Sequence, residues 1–356
     1  MDEWEAWIHE AITGAPVERV FPEAFPWSTS LLGDGKATTT FKVDDVQKRL
    51  TRDRIWSLFV PNARMLVLRR GSFVAYAGKI DDWDYDRDSQ VLMVASVELE
   101  NEWSWRLTYG VSGYTDGTLT VVNRTHSGAV RAILARATQR SVEWNYPIDL
   151  PSDAAGTFSA QWDFFKKFKI SDLLDQIRAE GYEIYLRPYI DANGNVRFQA
   201  RVEQKILIGA STFILQAAES PLSGVNYKLD GSRQLTGLQG VGNGTGQDQE
   251  VAWAGSGPYT IPIRDAKRDF PDLAGPRLQA ATNQTLADER VPLVQWSVGQ
   301  FTISEKWSAE QAAVGRAWQI DSTGDNVIPD GTHALRVIAL SGDLSDTMKV
   351  EVQSAS

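Results

Sequence analysis

The 356 residues include no cysteine, which excludes disulfide staples, thiolate-held zinc and cysteine nucleophiles and leaves the compartment open. Histidine is scarce too. His9, His126 and His333 are scattered along the chain, so no metal triad or catalytic pair is visible in the linear order. Positive charge is in deficit: 36 Lys and Arg stand against 46 Asp and Glu, a formal net charge of -10. That balance removes any general attraction to phosphate backbones or anionic lipid. No apolar run is long enough to span a bilayer, and the acidic start MDEWEAWIHEAITGA lacks the basic and apolar regions of a signal peptide. The expectation is a soluble protein made in the cytoplasm, with no membrane anchor. A G-x-S-x-G elbow is missing as well, which lowers the case for a hydrolase. There is no repeat of fixed period and no low-complexity tail.

What is present points to packed structure. Hydrophobic residues make up 42% of the chain, with 13 Trp, 13 Phe and 10 Tyr, and the length suffices for two or three domains with cores of their own. Trp4, Trp7, Ile8, Ala11 and Ile12 fall on one side of a helical wheel, so the spacing predicts an amphipathic helix ending at Gly14 and Pro16. From about residue 28 the texture turns to β, with TTTFKV, ARMLVLRRGSFVAYAGKIDDW and QVLMVASVEL, and residues 64 to 100 read as a meander. The patch VDDVQKRLTRDRIWSLF between the first two reads as helical. Further on, Val130, Ile133, Leu134 and Ala137 keep helical spacing. Ser171 reads as an N-cap and Gly181 as a stop for a second helix, whose Leu173, Leu174 and Ile177 face a core. Asn193-Gly194 marks a hairpin, residues 276 to 289 read as a helix, and the remainder is again β.

Four stretches carry residues that chemistry uses. In IDDWDYDRD, strand alternation puts Asp82, Asp84, Asp86 and Asp88 on one face and Trp83 and Tyr85 on the other. A calcium site, a catalytic carboxylate pair or a wet strand face are the options. A straight strand does not curl round an ion, and no second acid or cleft is evident, so the solvated face is favoured. DANGNVRFQARV copies the opening of an EF-hand loop at Asp191, Asn193 and Asn195, but Val196 and Val202 stand where glycine and a bidentate glutamate belong. GVGNGTG lacks the glycine spacing of a dinucleotide loop and the Lys-Ser/Thr ending of a phosphate loop, so it reads as a connection between strands. Trp103, Trp105 and Trp162 are candidates for a sugar platform, with core or interface use as the default.

The order of the pieces carries a resemblance. VAYAGKIDDWDYDRDSQVLMVASVELE, residues 74 to 100, resembles the G-x-I-x-D/E-W-x-Y-D segment and following strand of siphophage tail-tip proteins, the minor tail proteins or baseplate hubs of actinobacterial phages. SGAVRAILARATQR and ISDLLDQIRAEGYEIYLRPYIDANGNVRF resemble that family's inserted domain. LQGVGNGTGQDQE resembles its glycine-rich turn, DFPDLAGPRLQAATNQTLADERVPLVQWSV its helix segment, and RAWQIDSTGDNVIPDGTHALRVIAL its closing strands. The resemblance implies a β-rich α+β chain with two tube-forming β-barrel-like domains and an inserted α/β domain, assembling as a trimeric ring. The expected divisions are an N-terminal helix and arm (1–27), a first barrel (28–110 plus about 195–235), the inserted domain (111–194) and a second barrel (236–356) with a helix near 276–290.

As partners the resemblance implies two further copies of the chain, the distal tail protein, the tape measure protein and receptor-binding or other tail-tip proteins, with phage DNA passing through unbound. The expected place is the tail tip of a virion. The chain ends at Ser356 without the long extension of many relatives, so host recognition and wall cleavage are expected of other proteins. No catalytic residue, metal or cofactor is expected, and Asp82, Asp84, Asp86 and Asp88 form an acidic face toward lumen or solvent. A carbohydrate-binding adhesin and a tail-associated wall hydrolase are the alternatives.

Overall fold

Strands dominate, and one sheet gathers thirteen of them. The computed structural model describes residues 2–43, 50–108, 117–255 and 261–354. The chain begins with β1 (Trp4–Glu10), β2 (Pro16–Val20), β3 (Trp27–Ser30), β4 (Lys36–Lys42), α1 (Arg52–Leu58), β5 (Arg64–Arg70), β6 (Phe73–Asp86) and β7 (Val91–Glu98). The expected meander over 64 to 100 is therefore β5, β6 and β7, each antiparallel to the next. Among the described residues of the preceding patch the helix is α1, opened by Thr51, whose side chain accepts from the Arg54 amide. Residues 44 to 49 of that patch lie outside the described residues.

The helix predicted for the first dozen residues is a correction: Trp4 to Glu10 are strand β1. All seven residues pair with β5, and β2 covers the other edge. Long-range backbone pairing overrides the helical spacing, which also suits a strand whose Ala6 and Ile8 enter the core. β5, RMLVLRR, is apolar without alternation because both its faces are covered. Leu66 and Leu68 enter the main core, while Met65 and Val67 face a second one.

That second core belongs to the middle of the chain: β8 (Leu119–Arg124), α2 (His126–Thr138), β9 (Ile148–Asp149), β10 (Phe158–Trp162), α3 (Ile170–Ala179), β11 (Glu183–Ile190) and β12 (Val196–Glu203). Val130, Ile133, Leu134 and Ala137 of α2 and Leu173, Leu174 and Ile177 of α3 are all buried there, as their spacing predicts. α3 starts at Ile170, one residue before the expected Ser171 cap; Asp172 accepts from the Lys169 amide at 2.8 Å. The Asn-Gly hairpin joins β11 to β12, and β12 also takes β9 as a parallel neighbour.

The last part holds β13 (Ala210–Ile214), β14 (Leu222–Asp230), β15 (Gly237–Val241), β16 (Val251–Ala254), β17 (Asp265–Asp269), α4 (Gly275–Glu289), β18 (Leu293–Thr302), β19 (Ala317–Ser322), β20 (Gly331–Gly342) and β21 (Thr347–Ser354). β15, β16 and β17 make a small sheet beneath α4. Gly240 lies directly under Thr282 of α4, where a Cβ would collide with the hydroxyl, so the glycine-rich stretch includes a strand packed closely on a helix. The remaining strands continue the large sheet, whose order runs β14-β18-β21-β20-β3-β4-β7-β6-β5-β1-β2, with β19 joining β20 to β13.

Two expectations differ here. None of the sheets closes on itself: the large one ends in β14 on one side and β2 on the other, and its two parts are joined edge to edge through β3 and β20. One apolar core accordingly runs from Ala6 to Val352 through Phe41, Trp296 and Trp318. The strands of 195–235, expected beside the first half, pair elsewhere. β12 pairs with β11, β13 with β19, and β14 with β18. The apolar faces of β13 and β14, with Phe213 and Leu222 in the main core, find their partners in the C-terminal strands.

Candidate functional site

Three places combine charge, concavity or exposure. The first is the aspartate stretch. From Phe73 to Ile80 strand β6 is buried between β5 and β7. Beyond Ile80 it has lost β5, and its register with β7 shifts by one, leaving Asp81 as the extra residue of a bulge. Asp82, Asp84 and Asp86 then stand opposite Ala95, Met93 and Val91. β4 adds Thr38, Thr40 and Lys42 to the same row on the far side. This face is largely open to water. On the reverse face Trp83 and Tyr85 lie opposite the buried Val94 and Leu92, and Trp56 of α1 meets Trp83 edge-on at 5.2 Å.

Asp88 is not part of that row, because the strand ends at Asp86 and residues 87 to 90 turn. Asp86 organises the turn: it accepts from the Ser89 hydroxyl at 2.8 Å and from the Asp88 amide at 2.9 Å, which hold its carboxyl below the usual range. Among the described residues no group of three or more His, Asp or Glu is placed to hold a metal ion. The row of carboxylates tolerates its own repulsion because water and salt screen it.

The second place is the same spacing with the opposite outcome. Glu98, Glu100 and Glu102 follow β7 into a 3-10 turn, Leu99–Ser104, and all three carboxylates are buried. Glu98 accepts from the Thr29 hydroxyl and, at 2.7 Å, from the Gly35 amide. Burial pushes its carboxyl up to about 7, with Asp34 adding repulsion against those two donors. Glu100 receives Arg178 of α3 at 2.8 Å, yet burial, with Glu98 nearby, raises it to about 8. Its second oxygen has no partner among the described residues. Gly33, with φ of 69°, lies against it; a Cβ there would stand 2.5 Å from the Glu100 carboxyl carbon. Glu102 takes the ammonium of Lys79 and, at 2.8 Å, the hydroxyl of Tyr146.

The sequence reading passed over these three glutamates. VELENE carries the same two-residue spacing as the aspartates, and nothing local says that residues 29 to 35, Tyr146 and Arg178 will close over it. Sequence-distant partners bury them.

The third place is a groove of about 1110 Å³ floored by β3, β20 and β21 and walled by the ends of α3 and α4. Ion pairs span it and its surroundings. Arg336 of β20 holds Glu183 of β11, Arg277 of α4 reaches Glu180 at 2.6 Å, and Arg187 of β11 reaches Glu310 at 2.9 Å. His126 stacks on Tyr182 at 3.8 Å and meets the same Glu180 at 3.1 Å. The lining mixes both signs of charge, and Tyr182 is its one aromatic side chain among the described residues. Trp103 and Trp162 are buried in the module's core, leaving Trp105 exposed, so the three tryptophans form no platform. Asp191 caps its own turn, accepting from the Asn193 and Asn195 amides at 2.8 and 2.9 Å, which is the hairpin chemistry expected there.

No protein-family model matches the chain, and no curated protein matches it in sequence. Solved structures do. The 43 kDa tail protein of prophage MuSo2 from Shewanella oneidensis superposes with a TM-score of 0.62 at 11% identity, over 98% of this chain and 98% of that one. A tail protein from Neisseria meningitidis MC58 gives 0.59 at 12% identity, over 99% and 97%. The prophage tail protein gp18 of Listeria monocytogenes EGD-e gives 0.51 at 11% identity, over 99% and 95%. The chain therefore has the fold of phage tail proteins along nearly its whole length.

Proposed function

We propose that this chain is a structural component of a bacteriophage tail tip, a non-catalytic hub that assembles as a homotrimer and joins the tail tube to the tip. Each copy contributes the two halves of its large sheet as two barrel-like units of a ring, and the module around α2 and α3 sits outside them. The ring meets the distal tail protein above, carries receptor-binding or other tip proteins below, and lines the channel through which the tape measure protein and DNA leave. The observation that carries this reading is the likeness to tail proteins at both ends of the chain at once, with 98% of each chain covered in the strongest superposition quoted. The net charge of -10 supports it, since an acidic wall does not adsorb passing phosphates.

An adhesin or a wall hydrolase would use the groove. Its single aromatic side chain offers no stacking surface for a sugar, and its arginines are already engaged by glutamates or by Gln353. Sizing with light scattering on the purified chain, run beside binding and turnover assays on cell-wall polymer, separates the readings. A trimer without turnover is the expected result; a monomer that cuts or captures wall polymer overturns the hub.

A further inference from the structure

Two exposed patches of opposite sign, each built round an aromatic side chain, lie on different parts of this chain. One is the tip of the β6–β7 hairpin. Residues 81 to 88, DDWDYDRD, hold five aspartates and one arginine, beside Tyr85 and beside Trp56, which is 65% exposed. The other is the loop that leads into α3, DFFKKFK at 163 to 169. There a short 3-10 turn, Phe164–Lys166, and Lys167 in the left-handed region present Phe165, 62% exposed, among Lys166, Lys167 and Lys169.

Neither patch is spent within the chain. Lys166, Lys167 and Lys169 pair with no acid, and Asp82, Asp84 and Asp88 with no base, among the described residues. Among the described residues these lysines make one aromatic contact, Lys166 over Phe168 at 5.9 Å. Exposed rings amid unpaired like charges mark a surface suited to a complementary partner, because opposite potentials steer the encounter and the rings supply the buried apolar area.

We propose that the acidic hairpin tip of one copy docks on the basic loop 163–169 of the next. The occupant is a second copy of this chain because both complementary halves are encoded in it. Two different patches in contact make a head-to-tail interface, and such an interface closes when the rotation per copy divides the circle. The proposal rests on the ring reading above and names the residues that would hold one copy to its neighbour.

The test uses the full chain. Light scattering is measured on the wild type, on Asp82→Lys with Asp84→Lys, on Lys166→Glu with Lys169→Glu, and on a chain carrying all four changes. Asp86 is left alone because it holds its turn. Each two-site reversal is expected to weaken self-association at least tenfold, and the four-site chain to regain it. Raising NaCl from 0.1 to 1 M shortens the screening length from about 10 to about 3 Å and is expected to weaken the wild type and the four-site chain alike. Since the chain has no cysteine, Asp84→Cys with Lys166→Cys is expected to give oxidation-dependent dimers and trimers, and neither single variant a trimer. A trimer untouched by both reversals overturns the docking while the ring stands. Weakening without rescue or cross-linking also overturns it. A wild type monomeric throughout overturns the docking and the ring together.

Discussion

The two acidic runs on the β6–β7 hairpin share a spacing and differ in everything else. Asp82, Asp84 and Asp86 stand in water on a strand that has outrun its neighbour β5. Glu98, Glu100 and Glu102 lie at the other end of β7, enclosed by the Gly33–Gly35 turn, Lys79, Tyr146 and Arg178. Like charges two residues apart are cheap when solvated and costly when enclosed. The enclosed set must be met by donors, and through Tyr146 and Arg178 it fastens the elements round α2 and α3 to the first part of the large sheet; the open set remains available for contact with another molecule.

The largest expected effect comes from removing a donor in the enclosed set. Lys79→Met leaves Glu102 buried with only Tyr146, and is expected to cost about 3–5 kcal/mol in denaturant unfolding. A loss too small to measure would mean that the carboxylate is not enclosed. Next is pH. Glu98 and Glu100 are raised to about 7 and about 8 in the folded chain, so the unfolded chain gives up these protons first as pH rises. Their contribution is full below about 4.5, is lost progressively above it, and is gone once pH passes 8. Stability is expected to fall across that window, by more through Glu100 than through Glu98, and Glu98→Gln or Glu100→Gln to flatten the slope. An unchanged slope would contradict the enclosed reading. Smaller again is Arg187→Ala, which removes the half-exposed pair with Glu310 and is expected to cost less than about 1 kcal/mol. At the small end, Asp82→Asn with Asp84→Asn is expected to leave the unfolding midpoint in place at a protein concentration where the chain is monomeric; a clear loss there would show that the open row is bonded within its own chain.

Much of this architecture was legible in advance, for reasons that vary by element. α2, α3 and α4 announce themselves because helical spacing is local, and the β11–β12 hairpin because Asn193-Gly194 is a turn by its own chemistry. β1 reads as a helix in the sequence because its partners, residues 64 to 70, are far off in sequence and decide its conformation. The allotment of 195–235 failed likewise, since β13 and β14 are claimed by strands that begin some seventy or more residues later. Period-two alternation places Asp82, Asp84 and Asp86 in one row of β6, and Asp88 lies past the strand's end, where the turn begins. The enclosed glutamates had no local signal at all.

We propose that this chain is a ring-forming hub at the end of a phage tail. Electron cryo-imaging of an assembled particle, with density at side-chain resolution at the tail tip, tests it most directly. Three copies of this fold around the channel beneath the tube are the expected result. Density that places the chain elsewhere, or as single copies on a fibre or wall-bound arm, contradicts it.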